Sequence, residues 1–344
     1  MATPALRAIS SLPNLEELTL VGRPGPLSLL ENASFAQVRI PFRPRSKSKS
    51  VLGRRALAIE LRRRRLDTIL LMPNSLSSAL IARVAGIPRR IGFARDGRSW
   101  LLTDAIPLHS SSSRDAIKNP IRNWRESAAI DYYLRLAEEL GCQSSDRTME
   151  LDVSREDRDL SLRLLGQVGF SQQKNLVVMN NSSASASSRL WPVEHVINTC
   201  RTLAREGIQV LIHAGPNDRI KANQIAASIS HPNVQSMGQM DDLPLGLSRG
   251  VLSMADVVVS TDSGVRHIAV ALNRSVISLF GPTDSKLTTT YNRPEWLIEN
   301  SLSCRPCLKD TCLLKHHRCM SELSIDRVLH AVRTVLDRSK EQAA

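Results

Sequence analysis

Residues 254–284, MADVVVSTDSGVRHIAVALNRSVISLFGPTD, read as strand, turn, helix, strand and turn without a gap. That order commits the segment to a parallel α/β arrangement. Residues 255–260 are short, apolar and β-branched, as a strand buried on both faces of a parallel sheet has to be. Thr261, Asp262, Ser263 and Gly264 then supply turn and cap chemistry, and from Val265 the apolar positions Ile268, Ala269, Ala271 and Leu272 follow helical spacing. A helix is therefore expected to begin near Ser263. Its unpaired N–H groups and positive dipole end would point out of the carboxyl edge of the sheet, where open α/β folds bind phosphorylated ligands.

Repeated strand and helix units extend in both directions from this segment. Towards the amino terminus, residues 15–21 read as a strand, 43–49 as a polar basic loop, 52–65 as a helix and 67–72 as a buried strand. The turn Pro73, Asn74, Ser75 leads to a helix over 77–85, stopped by Gly86 and Pro88. Residues 110–114 form a polar loop, 123–140 a long amphipathic helix ending at Gly141, and 145–170 the connection between domains. Residues 175–180 and 209–213 are further strands, the first followed by a serine-rich loop over 182–188. A chain of 344 residues exceeds what one hydrophobic core usually serves, so two domains are expected.

The formal charge of +13 is unevenly placed: ten of these thirteen net charges fall within residues 1–150. Arg43, Arg45, Lys47 and Lys49, the run at 62–65, and Arg89, Arg90, Arg95 and Arg98 carry most of it. Such a field attracts a polyanion. With aromatic residues at 3% and no zinc finger or RNP-like signature, nucleic acid is the weaker partner, and an acidic glycolipid at the inner face of a membrane fits better. No run of apolar residues is long enough to span a bilayer and the first thirty residues lack a signal-peptide core, so a cytoplasmic protein, peripheral on that membrane face, is expected.

Cys304, Cys307, Cys312 and Cys319 are spaced C-x2-C-x4-C-x6-C, with His316 and His317 between the last two. Four soft ligands so close in sequence could bind zinc or an iron–sulfur cluster, or form an unligated structural loop. Cys142 and Cys200 stand alone and read as core residues.

The combined pattern Asp262, Ser263, Gly264, His267 and then Phe280, Gly281, Pro282, Thr283, Asp284 resembles the donor-binding motif of the family 9 glycosyltransferases, the lipopolysaccharide heptosyltransferases. The resemblance implies the GT-B fold, α/β with two Rossmann-like domains facing across a cleft. Residues 1–160 would form the acceptor-side domain, 161–320 the donor domain with its Cys-rich segment at 304–319, and 321–344 a final helix region. Cys304 and Cys307, as Cys-x-Pro-Cys, resemble the tail of heptosyltransferase II type members. The resemblance further places the donor on Arg189, two residues before Trp191-Pro192, and on Asp262, Ser263, Gly264 and His267, with Arg95 and Arg98 on the acceptor side; Asp218, in the turn after the 209–213 strand, is a candidate for a donor hydroxyl contact. Where the family commonly has glycines in the loop before Arg189, this chain has Ser182, Ser183, Ala184 and Ala186.

The activity this implies is transfer of heptose from ADP-heptose to an acidic lipid A-core acceptor, inverting and with no metal required for catalysis. A relative using another sugar, and a catalytically silent nucleotide-sugar or glycolipid-binding homologue, are the alternatives. In the family a strand and a Gly-Asp turn precede a helix like residues 1–9, and the Asp of that turn is the proposed base. By this alignment the base lies before Met1 and the catalytic residue of this chain is unknown. A start codon assigned too late accounts for that better than truncation or an inactive homologue.

Overall fold

In the computed structural model of the chain, residues 1–45, 51–107, 128–182, 187–291 and 295–343 are described. Lys47, Lys49, the loop expected at 110–114, residues 123–127 of the expected long helix and positions 183–186 of the serine-rich loop lie outside them. The chain divides into two compact units, Met1–Thr148 with Lys286–Thr289, and Met149–Ser285 with Thr290–Ala344.

The first unit holds two parallel sheets. One pairs β1 (Thr19–Gly22) with β2 (Val38–Pro41), Thr19 opposite Val38; the other runs β3 (Thr68–Leu71), β4 (Arg89–Phe93), β5 (Asp104–Ile106). The helices are α1 (Thr3–Ser10), α2 (Pro24–Leu29), α3 (Arg54–Arg63), α4 (Leu76–Ala85) and α5 (Ala129–Glu138). The first strand starts later than the apolar run from Leu15 implies, because the Leu15 N–H is still held in a turn by the Leu12 carbonyl. β3 is less buried than expected. Of its residues only Leu71 is buried, since β3 pairs with β4 alone and its other edge has no strand beside it among the described residues. Leu20 of β1 and Met72 just after β3 pack instead on the same apolar cluster, around Leu6, Ala33 and Phe35. α4 ends as its sequence demands, at Gly86 with φ 78°, a left-handed conformation that glycine adopts without strain.

The second unit is one six-stranded parallel sheet. Its strands are β6 (Leu176–Asn180), β7 (Gln209–Ile212), β8 (Val234–Ser236), β9 (Val257–Thr261), β10 (Ser275–Phe280) and β11 (Glu295–Glu299), in the order β11-β10-β9-β6-β7-β8. Every residue of β6, β7 and β9 is buried, which is why their centres read as continuous apolar runs rather than as alternation. Around them lie α6 (Arg155–Gln167), α7 (Val193–Arg205), α8 (Arg219–Ile229), α9 (Leu245–Met254), α10 (Gly264–Ala271), α11 (Arg318–Ser321) and α12 (Ile325–Ala343). The order of strands reverses between β6 and β9, so the carboxyl ends of these two strands flank the switch point where open α/β sheets place their ligands.

α6 occupies sequence read as a connection. Its start is fixed by a reciprocal cap: Ser154 Oγ accepts the Asp157 N–H at 3.0 Å, while Asp157 Oδ2 accepts the Ser154 N–H at 3.3 Å. Asp157 also pairs with the buried Arg249 of α9. The two helices approach closely because α9 presents Gly246 and Gly250 to Asp157 and Ser161; a Cβ on Gly250 would lie 2.4 Å from the Asp157 carbonyl oxygen.

Two expectations follow. Gly250→Ala should destabilise the unit by about 1–3 kcal/mol, because the clash is with backbone. Gly166→Ala should stabilise it by about 0.5–1 kcal/mol, since that helical glycine has nothing within 4 Å of its absent Cβ and alanine restricts the unfolded chain; paired urea denaturation curves check both signs. A further expectation concerns His213, which follows β7. Its Nε2 meets Ser248 Oγ at 3.0 Å, and burial pushes its pKa down from 6.5 to about 4. The folded state thus resists a proton that the unfolded chain accepts. Stability should hold above pH 6.5 and fall, by up to about 1.4 kcal/mol per pH unit, as pH drops from there towards 4. The melting temperature of His213→Gln should depend less steeply on pH across that window.

Candidate functional site

β9 ends at Thr261 and α10 begins at Gly264, so Asp262 and Ser263 form the turn at the switch point. Ser263 stands at the N-cap with an extended backbone, and its side chain makes no cap hydrogen bond. The hydroxyl turns back into a polar cluster that closes the carboxyl ends of β6 and β9. Buried Asn180 donates to Ser260 Oγ at 2.9 Å and to Ser263 Oγ at 3.0 Å, and accepts from Ser182 at 2.8 Å. Thr261 Oγ1 donates to the Ser182 carbonyl at 3.1 Å. The turn is thereby fixed from beneath. Among the described residues, a Cβ on Gly264 would meet nothing within 4 Å.

Asp262 acts through charge rather than as a cap. Its carboxylate is nearly buried and lies between two guanidinium groups, Arg266 at 3.6 Å and Arg189 at 3.8 Å. Arg189 also donates to the Asp262 carbonyl at 3.4 Å. Arg266, one helical turn on, is fully buried. It forks onto Glu295 of β11, with Nη2 to Oε2 at 2.9 Å, contacts Ser278 Oγ at 3.1 Å, and lies 4.8 Å from the centre of the Phe280 ring. Thr290 donates to the same glutamate at 2.6 Å. Two carboxylates and two guanidinium groups thus balance, with Arg266 held inside and Arg189 one-third exposed, at 33%. His267 shares the helix; burial first, and then the positive charge of Arg266, hold its imidazole pKa well below 6.5. It is neutral at pH 7, with a buried Nδ1 that has no hydrogen-bond partner among the described residues.

The segments around this turn are pinned to one another. Asn181 and Trp191 exchange hydrogen bonds at 2.9 Å, closing the loop that carries Arg189. Ser188 donates through its hydroxyl to the Lys309 carbonyl at 2.6 Å, and its own carbonyl meets His317 Nε2 at 2.6 Å. The Cys-rich segment therefore buttresses the Arg189 turn. It also holds the Phe280–Asp284 turn: Arg305 donates to the Gly281 carbonyl, Leu308 N–H to the Pro282 carbonyl, and the sulfur of Met320 would be 2.3 Å from a Cβ on Gly281. Gly281 is glycine because Met320 fills that space.

The zinc or iron–sulfur expectation is not supported. Among the described residues no three His, Cys, Asp or Glu side chains are grouped to hold a metal ion. The four thiols are free and range from exposed Cys307 to buried Cys319. They lie near enough that Cys307, Cys304 and Cys312 add to the burial that raises the pKa of Cys319, but the segment's contacts are made by backbone, His317, Arg305 and Met320 instead.

Of the remaining expected site residues, Asp218 stands at the N-cap of α8 beyond the end of β7, its pKa raised by burial against the opposing effect of Lys221. Arg95 pairs with Asp96 at 3.4 Å. Arg98 is fully buried. Its guanidinium donates to the Pro73 carbonyl, Asn74 Oδ1 (3.1 Å), Ser78 Oγ (3.3 Å) and the Phe93 carbonyl (3.2 Å), so it organises the turn after β3 from inside. Asn180, Arg266 and Glu295 were not legible as site residues. Asn180 ends an apolar run, Arg266 lies between the residues that carry the motif, and Glu295 is 29 residues further on, in β11.

The sequence profile of glycosyltransferase family 9 (heptosyltransferase) matches residues 54–318. The chain belongs to that family. It is 24% identical over 296 residues to lipopolysaccharide heptosyltransferase 2 of Escherichia coli (strain K12), covering 82% of this chain and 79% of that relative. Against the corresponding Salmonella typhimurium protein it is 25% identical over 291 residues, with the same coverage. Among solved structures, E. coli ADP-heptose lps heptosyltransferase II superposes with a TM-score of 0.77 at 20% identity, covering 98% of this chain and 95% of that one. A family 9 glycosyl transferase from Veillonella parvula gives 0.79 at 16%, covering 98% and 93%. The fold expectation, α/β of the GT-B class with parallel sheets, is met, and the chain is a glycosyltransferase. The family match spans the turn at 262–264 and Arg189.

The buried pair should behave as a unit. Arg266→Met leaves Glu295 charged and unpaired in the interior and should cost about 3–5 kcal/mol of stability, most of it recovered when Glu295→Gln is added. A double-mutant cycle by chemical denaturation measures the coupling.

Proposed function

We propose that this glycosyltransferase transfers heptose from ADP-heptose to the inner core of a lipopolysaccharide precursor, with inversion and without a catalytic metal. The observation that carries the reading is the partly exposed Arg189 held against the turn that opens α10 by its contacts to Asp262. A nucleoside diphosphate brings charge that a helix N-terminus and a bidentate guanidinium can offset together. As the sugar leaves, negative charge builds on the diphosphate, and a guanidinium that is always protonated stabilises it without needing a metal ion. In this reading His267 and Asp218 supply further polar contacts to the donor.

Similarity to lipopolysaccharide heptosyltransferases of two organisms supports the sugar and the acceptor class, and a related E. coli heptosyltransferase has been solved with ADP. The acceptor is then an acidic lipid-linked oligosaccharide, and the excess of positive charge in residues 1–150 suits a protein working at an anionic membrane face. No helix among the described residues is long and apolar enough to cross a membrane.

Calorimetric titration with ADP tests the donor assignment. Arg189→Ala should weaken binding at least about tenfold and Arg189→Lys by less, because an ammonium keeps the charge and loses the fork. Equal affinity in all three proteins would remove Arg189 from the site, and no ADP binding by the unaltered chain would remove the donor reading.

A further inference from the structure

α4 is amphipathic in the wrong sense for a helix covered only by water. It buries its smallest side chains, Ala79, Ala82 and Ala85, against the sheet, and turns Leu76, Leu80 and Val84 outward. The alanines allow close approach to the strands beneath. The three larger residues, at successive i, i+4 positions, form one stripe with 46% to 53% of each exposed. A contiguous apolar stripe on a soluble surface marks an interface.

Its neighbours extend the stripe. α3 packs alongside α4, and Arg62 reaches across to the Val84 carbonyl at 3.0 Å. The face of α3 carrying Arg62 also carries exposed Ile59 and Arg55, one turn apart. On the sequence side of β4, the short turn Ser99–Leu101 contacts α4 while exposing Trp100 to 75%. Indole is the side chain most at home where an apolar phase meets water. The surface is therefore apolar along its middle, basic around its edge, and tipped with tryptophan.

We propose that this face of the first unit docks on an anionic lipid bilayer, with Leu76, Leu80, Val84, Ile59 and Trp100 entering the interfacial layer and the arginines resting on the headgroups. Charge decides the occupant. Exposed Arg55, Arg63 and Arg83 surround the stripe, so a second copy applying the same face would bring arginine against arginine, whereas anionic headgroups are met favourably along the whole edge. The inference deepens the proposed function and rests on it for its purpose, since it says how the enzyme would meet a lipid-borne acceptor.

The test is co-sedimentation of the full chain with vesicles of phosphatidylglycerol mixed with phosphatidylethanolamine, against vesicles of phosphatidylcholine alone. Binding is expected to the anionic vesicles, falling as salt is raised. Leu80→Glu with Val84→Glu should lower the partition coefficient at least about tenfold, a change these exposed positions tolerate without loss of melting temperature. Arg55→Glu with Arg63→Glu should lose the preference for anionic vesicles. All variants should bind ADP as the unaltered chain does and transfer sugar to a deacylated, water-soluble acceptor at an unchanged rate. Failure of the chain to sediment with anionic vesicles, or variants that bind them equally well, would overturn the proposal while leaving the donor assignment intact. A change from dimer to monomer in the Leu80→Glu, Val84→Glu protein by light scattering would overturn it too, in favour of a self-interface.

Discussion

A carboxylate placed between two guanidinium groups at the end of a buried strand is the constraint on which the carboxyl-terminal unit turns. Asp262 cannot be taken out of water alone; Arg266 makes it tolerable, and Glu295 in turn makes a fully buried Arg266 tolerable. The chain of dependence then runs outward. Because Asp262 is held, Arg189 is drawn to the turn, and because Arg189 must arrive from another strand, the loop bearing it is clamped by the Asn181 and Trp191 exchange and by the Cys-rich segment. If the proposed donor diphosphate binds here, it meets positive charge near the surface backed by negative charge beneath it.

That arrangement gives the family motif a physical reading. Asp262 pairs with Arg189 and Arg266, Ser263 ties the turn to Asn180, Phe280 lies beside Arg266, and Gly281 makes room for Met320. The Cys-rich segment serves the same end. The segment's contribution is to carry backbone acceptors and His317 to Ser188, next to Arg189, and Arg305 to the turn at Gly281.

Much of this could be read from the chain before its structure. β9, the turn and α10 were legible because an apolar β-branched run, four turn residues and helical spacing follow without interruption, and the family pattern named Arg189 from its place before Trp191. What could not be read depends on partners far apart in sequence. Glu295 and Arg266 each look like ordinary surface charges until β10 and β11 pair, and Asn180 looks like the end of a strand until Ser260 is beside it. Arg98 shows the converse: one of many arginines in a basic half, it is expected to meet a ligand and is instead spent on the turn at Pro73. Periodicity also misjudged β3, whose residues are as apolar as a central strand's, because a strand's burial depends on its neighbours and not on its own composition. α6, read as a connection, is a helix because Ser154 and Asp157 cap it and Gly246 and Gly250 let α9 close on it.

The most direct test of the central claim is a crystal structure of the protein with ADP. The diphosphate should lie against the N–H groups of Ser263 and Gly264 with the Arg189 guanidinium on its oxygens, and Asp262, Arg266 and Glu295 unmoved. A diphosphate bound away from that turn, or bound there with Arg189 turned aside, would contradict the account.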